Sequence, residues 1–381
     1  MLAENYHSAL VDQIKTDDFT FRSGRLTVHL AREFGFCYGV DRAVDYAYQT
    51  RERFPDRRVF LTGEIIHNPH VNEKLRAMGI EFIGHDEDAV GALGNDDVVI
   101  LPAFGVTVGM LERLDKRGCT LIDTTCGSVL NVWKNVRRYA EGGYTSVIHG
   151  KVWHEETQAT ASQAVAYGGR YLVVLNRQEA SRLCDVIQHP FTENDDAARD
   201  AFMEKFGGAA SPGFEPGRDL QRIGLANQTT MLMSESLEIG EILKAAMLER
   251  YGPSELESHF QAFDTICSAT QDRQDAVVAL LRERPVDLMI VIGGYNSSNT
   301  CNLARICAQS RPTFHIADPD CLESAAEIRH RPVGSKAEAQ TTPWLPTDGP
   351  LTIGLTSGAS TPDNLVGAVV AKLADFTRPP A

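Results

Sequence analysis

The chain is 381 residues long, 43% hydrophobic and 23% charged, with a formal net charge of -14. That is the composition of a folded globular protein of roughly two or three domains, and its acidity argues against a general nucleic-acid or anionic-membrane binder. No apolar run approaches the ~18 residues of a membrane span.

In chain order, the opening "MLAENYHSALVDQIKTDDFTF" lacks both the apolar core of a secretory signal and the Arg/Ser bias of a transit peptide, so residues 1–25 read as an N-terminal extension on a cytoplasmic protein. "RLTVHLAREFGFC" then reads as strand and loop, and "GVDRAVDYAYQTRERF" as a helix. The same sequence of short apolar run, small-residue corner and helix recurs. It is seen at "VVILPAFG", "CTLIDTTC", "YTSVIHGKVWH", "FDTIC", "DLMIVIGGYNSSN" and "LTIGLTSGASTPD". Such alternation predicts an α/β fold with mainly parallel sheets. Two stretches interrupt it. Residues 193–222 mix charge, Gly and Pro around one short helix, and residues 331–350 read as a long loop.

Eight cysteines occur and none forms a CxxC pair, which speaks against a zinc ribbon and, in a cytosolic chain, against a disulfide framework. A single cysteine is most often a small buried hydrophobe. Cys37, Cys126 and Cys267 stand apart, because each ends a short run beside small or polar residues ("FCYG", "TCGS", "ICSA") and is followed by a helix. Ligands of open α/β sheets gather at the carboxyl ends of strands. Three such thiols could hold an iron–sulfur cluster, which usually takes four, leaving one iron open to substrate.

The corners "GGYNSSN" and "TSGASTPD" place Asn296, Ser297, Ser298, Asn299, Ser357 and Ser360 where helices begin, with Pro362 at an expected first turn. N-capping alone would account for one of these donors per corner. Two corners, each with donors to spare, favour a phosphate-type anion, which an acidic protein can hold at helix N-termini. Neither corner is a Walker A loop or a dinucleotide fingerprint. His67 in "EIIHNPH" follows an apolar run, whereas His154 with Glu156 in "VWHEET", at a strand-to-helix corner, is better placed for proton transfer, and Thr229 and Thr230 of "NQTT" could relay that proton.

Taken in order, "GFCYGVDRAV", "EIIHNPHVN", "DTTCG", "WHEETQATAS", "NQTTML", "FDTICSATQDRQDA", "GGYNSSNT" and "TSGASTPD" closely resemble the 4-hydroxy-3-methylbut-2-enyl diphosphate reductases, which complete the non-mevalonate isoprenoid pathway. The resemblance runs from about residue 26 to about 375. It implies three α/β/α domains with mainly parallel sheets around a central [4Fe-4S] cluster, ligated by Cys37, Cys126 and Cys267 with one iron site open. The domains would span 38–126, 127–266 and 267–375, joined by a strand at 26–37 and followed by a tail at 376–381. It further implies diphosphate binding by His67, His154, Ser297, Ser298, Asn299 and Ser360, and proton delivery by Glu156 with His154 and Thr229. The substrate would be a small allylic diphosphate and the electron donor a ferredoxin or flavodoxin, with no nucleic acid or membrane partner.

One position departs from the pattern. Many bacterial members carry a histidine where this chain has Phe104, which cannot donate to a diphosphate. Phe104, the extension and the longer segment before "NQTT" resemble the cyanobacterial and plant branch. Two rivals from other classes remain open at this point. One is a metal-free thiol enzyme with Cys37 as nucleophile and His154 as base. The other is a non-catalytic phosphometabolite-binding protein using only the two donor-rich corners.

Overall fold

A computed structural model describes residues 5–84, 86–192, 194–263 and 265–378. Residues 1–4 of the expected extension, Asp264 of the "FDTIC" motif and residues 379–381 of the tail lie outside the described residues. The fold is α/β with mainly parallel sheets, and it divides into two compact units, Met1–Gly84 with Ser268–Ala381, and His85–Cys267. Among the described residues, no helix is long and apolar enough to cross a membrane.

The first unit is built on a five-stranded sheet in the order Thr20–Ser23, Leu26–Leu30, Leu351–Ser357, Leu288–Ile292, Thr313–Ile316. Only the outer Thr20–Ser23 pairing is antiparallel. The interior strand "LMIVI" is buried at every position, as expected of a parallel strand covered on both faces. Val28, Leu30, Ile290, Ile353 and Leu355 pack on one face with Val366, Val369 and Leu373 of the helix Asp363–Thr377. Met289 and Val291 pack on the other with Val277 and Leu303. The helix Ala9–Thr16 adds Val11 and Ile14 to the first of these cores. A parallel pair, Val59–Leu61 with Ile80–Phe82, also belongs to this unit.

The second unit has an all-parallel sheet in the order Phe260–Ala262, Ile223–Asn227, Thr145–His149, Arg170–Val174, and a parallel pair Val98–Leu101 with Thr120–Asp123. Its main core joins Val147, Leu172 and Leu225 with Leu183 and Ile187 from one helix and Ile239 and Leu243 from another. Gly224 has a packing reason. A Cβ there would lie 2.4 Å from the ring of Tyr139, whose hydroxyl donates to the carbonyl of Leu225 at 2.8 Å.

Two sequence expectations change in detail. The segment expected to hold one short helix contains the helix Asp196–Phe206, a 3-10 turn at Gly207–Ala209 and the short helix Pro216–Asp219. The expected loop at 331–350 includes Ala339–Thr341, which pairs antiparallel with Ile328–His330. Three-residue strands carry too little alternation to register as a period of two.

Candidate active site

In the first unit, three corners meet along the carboxyl edge of the sheet. Leu351–Ser357 pairs with Leu26–Leu30 on one side and with Leu288–Ile292 on the other. The loop after it therefore lies between the Cys37 loop and "GGYNSSN". The peptide N–H of Cys37 donates to the carbonyl of Ala359 at 3.2 Å, and the N–H of Ala359 donates to Asn299 Oδ1 at 2.9 Å. Gly35, at φ +78°, makes the turn that Cys37 needs. Its N–H donates to Ser357 Oγ at 2.9 Å, and its carbonyl accepts from the buried Arg273 at 2.8 Å. Close approach also explains Gly358, where a Cβ would fall 1.9 Å from Thr300 Oγ1.

Cys37 does not sit at the end of a strand, as the sequence suggested. Residues 31–36 intervene after Leu30, and Cys37 occupies the N-cap of the helix Tyr38–Arg53. Its thiol makes no capping hydrogen bond. The N-cap favours Ser, Thr, Asp or Asn, so a cysteine there leaves the positive end of a helix without a side-chain cap.

The donor-rich corners separate into caps and groups left over. Ser297 caps the helix Ser298–Ala308, so the plain reading of this hydroxyl holds in part. Its Oγ accepts from both the N–H and the hydroxyl of Thr300, at 3.3 and 3.0 Å. With both lone pairs engaged, its own O–H hydrogen is what it has to offer an acceptor. Asn299 is 2% exposed, and its Nδ2 has no hydrogen-bond partner among the described residues. A buried amide donor without a partner costs free energy of about 1–3 kcal/mol unless a ligand completes it. Ser360 Oγ donates to the carbonyl of His67 at 3.2 Å, and Asn68 Nδ2 donates to the carbonyl of Ser360 at 2.8 Å. Asn68 also caps the helix Pro69–Ala77, with Pro69 at its start. Pro362 stands at the N-cap of Asp363–Thr377 rather than inside its first turn. Cys37, His67, Ser297, Ser298, Asn299 and Ser360 are thus gathered on linked loops of one unit.

The second unit gathers the proton-transfer candidates. His154 is the N-cap of the helix Glu155–Ala166 and accepts the N–H of Glu156 at its Nδ1, 3.2 Å away. Accepting at Nδ1 fixes the neutral tautomer with its hydrogen on Nε2, so His154 is a donor on its far edge. Glu156 is 2% exposed, and its Oε1 accepts the N–H of Thr229 at 2.5 Å. The carbonyl of Thr229 in turn accepts the N–H of Cys267 at 3.3 Å. Thr265, two residues before Cys267, takes hydrogen bonds from both the N–H and the side-chain amide of Asn227, at 2.8 and 3.0 Å. The "NQTT" loop and the Cys267 loop are thereby tied together, and Cys267 directly precedes the helix Ser268–Glu283.

Cys126 is the N-cap of the helix Gly127–Glu141, again without a capping hydrogen bond from its thiol, and its N–H donates to Ala103 at 2.9 Å. The next residue along that loop, Phe104, meets the ring of His154 edge to face, with centroids 6.0 Å apart. Phe104 therefore flanks a histidine rather than supplying a donor. Gly105, at φ +75°, would place a Cβ 2.5 Å from Trp133 and so must lack one.

Two of the other cysteines are marked by thiols that are hard to ionise. Cys307 is fully buried, and burial pushes its thiol up to about 12. Cys184 is likewise raised to about 11, mainly by burial. Cys37, Cys126 and Cys267 are half-buried, and none of the three is in a disulfide.

Two site residues escaped the sequence reading. Gln228 Oε1 accepts from the N–H of Lys151 at 3.1 Å and the hydroxyl of Thr157 at 3.2 Å, while its Nε2 donates to Thr230 Oγ1 at 2.9 Å. Thr230 thus braces the loop that carries Thr229. Glu64 bonds both His67 and Asn296. An acid three residues before a histidine was the only local signal for it.

A family model described as LytB protein matches residues 28–374. Two proteins named 4-hydroxy-3-methylbut-2-enyl diphosphate reductase are 48% identical over 379 residues (Gloeobacter violaceus) and 49% identical over 375 residues (Synechococcus sp. strain RCC307). The alignments cover 98% of this chain in both cases, and 88% and 89% of those proteins. A solved structure of (E)-4-hydroxy-3-methyl-but-2-enyl diphosphate reductase aligns with a TM-score of 0.55 at 26% identity, covering 91% of this chain and 99% of that one. A reductase structure from Plasmodium falciparum shares the fold, with a TM-score of 0.63 at 22% identity over 93% of this chain and 88% of that one. The resemblance read from the motifs extends over almost the whole length, and the chain belongs to the LytB family of 4-hydroxy-3-methylbut-2-enyl diphosphate reductases.

Proposed function

We propose that this chain reductively dehydroxylates (E)-4-hydroxy-3-methylbut-2-enyl diphosphate to isopentenyl and dimethylallyl diphosphate. Two electrons and two protons enter, and one water leaves. The relatives' identity over nearly the full length supports the reaction. The observation that carries the substrate class is the buried Asn299 amide, a donor awaiting an acceptor at a helix start.

Cys37, Cys126 and Cys267 are the proposed ligands of an iron–sulfur cluster of the [4Fe-4S] type. The donor set suits it. All three are half-buried thiols at or beside helix N-termini, within reach of loops rather than locked in a core, and metal ligation takes such a side chain as the thiolate. When bound, such a cluster supplies electrons one at a time and offers one iron lacking a protein ligand to the substrate's hydroxyl.

The remaining roles belong to side chains. Ser297, Ser298, Asn299 and Ser360 bind the diphosphate with His67 and His154. Support comes from the Ser297 hydroxyl, whose lone pairs are already engaged, and from the His154 tautomer, whose hydrogen sits on Nε2. Glu156 delivers the proton that lets the hydroxyl leave as water, and Thr229 assists it. Phe104 contributes shape against His154 and no hydrogen bond. A ferredoxin or flavodoxin is the proposed electron donor, and the cytoplasm the proposed setting.

Anaerobic purification with iron and sulfide analysis tests the reading. We expect iron and sulfide in equal amounts and a visible absorption band that changes on adding the allylic diphosphate. A colourless, air-stable and fully active preparation would overturn it.

A further inference from the structure

Glu64 has none of the roles assigned above, yet it joins two of the corners that supply them. Its Oε2 lies 2.9 Å from His67 Nδ1 and accepts from Asn296 Nδ2 at 2.7 Å. Asn296 belongs to "GGYNSSN" and His67 to "EIIHNPH", so one carboxylate oxygen clips the two loops together. The backbones also approach closely, since a Cβ on Gly294 would fall 2.4 Å from the carbonyl oxygen of His67. Burial works against a charge on Glu64, but the hydrogen bond and charge of His67 and the amide of Asn296 outweigh it and hold the carboxyl below its ordinary range. Glu64 is therefore an anion that can only accept.

This settles the hydrogen on His67. Asn296 Nδ2 also lies 3.2 Å from His67 Nδ1, but two lone pairs cannot face each other at 2.9 Å, so the shorter contact places a hydrogen on Nδ1, donated to Glu64. The bond fixes the ring's rotation and presents the opposite edge, Nε2, in one orientation. A carboxylate behind an imidazole performs the same service for histidines that bind metals, where it fixes tautomer and direction.

We infer that Glu64 is a positioning residue for diphosphate binding. It orients His67 through Nδ1 and secures Asn296 at the neck of the Ser297–Asn299 corner, so that two separate loops present a single pre-set anion site. The inference rests on the diphosphate role proposed for His67.

The test is a double-mutant cycle on the anaerobically purified holoenzyme, with inorganic pyrophosphate as the probe, using Glu64→Gln, His67→Ala and the double variant. Glu64→Gln keeps the size of the side chain but replaces a purely accepting group with one that also donates. We expect it to weaken pyrophosphate binding about tenfold, with iron content unchanged and KM rising by more than kcat falls. In the His67→Ala background the part of that loss carried through His67 should disappear, leaving only the smaller part carried through Asn296. Wild-type affinity in Glu64→Gln, or an undiminished loss in the His67→Ala background, would overturn the inference. If the wild-type enzyme does not bind pyrophosphate, or His67→Ala binds it as well as wild type, the diphosphate role of His67 itself fails and the inference falls with it.

Discussion

The backbone N–H of Thr229 donates to Oε1 of Glu156 at 2.5 Å, across a sequence separation of 73 residues. A buried carboxyl group is thereby held by a main-chain N–H that only a proline at position 229 would remove. Thr229→Val should leave Glu156 in place and lower turnover only about tenfold, whereas Glu156→Gln should lower it by about 10²–10⁴. Gln still accepts the Thr229 amide but has no acidic proton to give. Iron content and pyrophosphate affinity should match wild type in both variants, and single-turnover kinetics checks the ordering. Equal losses in the two would contradict it.

Replacement of the cysteines should sort by position. Cys37→Ser, Cys126→Ser and Cys267→Ser should each lose bound iron and visible absorption. Cys307→Ser and Cys184→Ser should keep both, because burial holds those thiols protonated. Iron per chain in anaerobic preparations is the measurement.

Gly358→Ala probes the contact between the two donor-rich corners. Its Cβ would fall 1.9 Å from Thr300 Oγ1, on the helix that Ser297 caps. We expect a loss of about 1–3 kcal/mol in stability from overpacking, together with weaker pyrophosphate binding as the corners move apart. Gly334, which has nothing within 4 Å of its Cβ position, has a positive φ of 84° and would show only backbone strain. Gly334→Ala should therefore lower the thermal transition while sparing pyrophosphate affinity.

His315 gives a pH dependence. Burial is the largest cause of its low pKa, with the charges of Arg331 and His330 adding to it, and the hydrogen bond to the carbonyl of Gly293 opposing them only in part. The folded value is about 4, against an ordinary value of 6.5. Between these values the unfolded chain binds the proton and the folded chain does not. Stability from this group is therefore complete above pH 6.5 and is lost as pH falls towards 4, by about 3 kcal/mol in all. His315→Gln should show a smaller fall in thermal transition between pH 7 and pH 5 than wild type.

Much of the candidate site was legible because its residues stand at helix starts, where sequence is most explicit. Cys37, Cys126, His154 and Ser297 are all N-cap residues, and an apolar run followed by small polar residues marks such positions. Whether a hydroxyl is spent as a cap or available for a ligand was not legible. Ser297 is a cap that still has its own O–H hydrogen to donate, and only the two bonds it accepts from Thr300 reveal it. Glu64 was invisible for a different reason. Its partner Asn296 is 232 residues away, and no local pattern encodes a contact that exists only after the sheet has formed. The sequence shows Phe104 only as a donor lost, and its edge-to-face contact with the ring of His154 appears only in the fold.

The pairing of Leu26–Leu30 with Leu351–Leu355 constrains how the molecule can be made. A ribosome extends a polypeptide at about 5–20 residues per second, so the earlier strand waits roughly 15–60 seconds for its partner. Val28 and Leu30, buried in the finished protein, have for that interval only the preceding strand Thr20–Ser23 and the helix Ala9–Thr16 as partners, while the intervening His85–Cys267 stretch forms a compact unit of its own. Biogenesis of this enzyme therefore hinges on shielding a nascent apolar segment until the last strand of its sheet is translated, and chaperone demand should track that delay rather than total chain length.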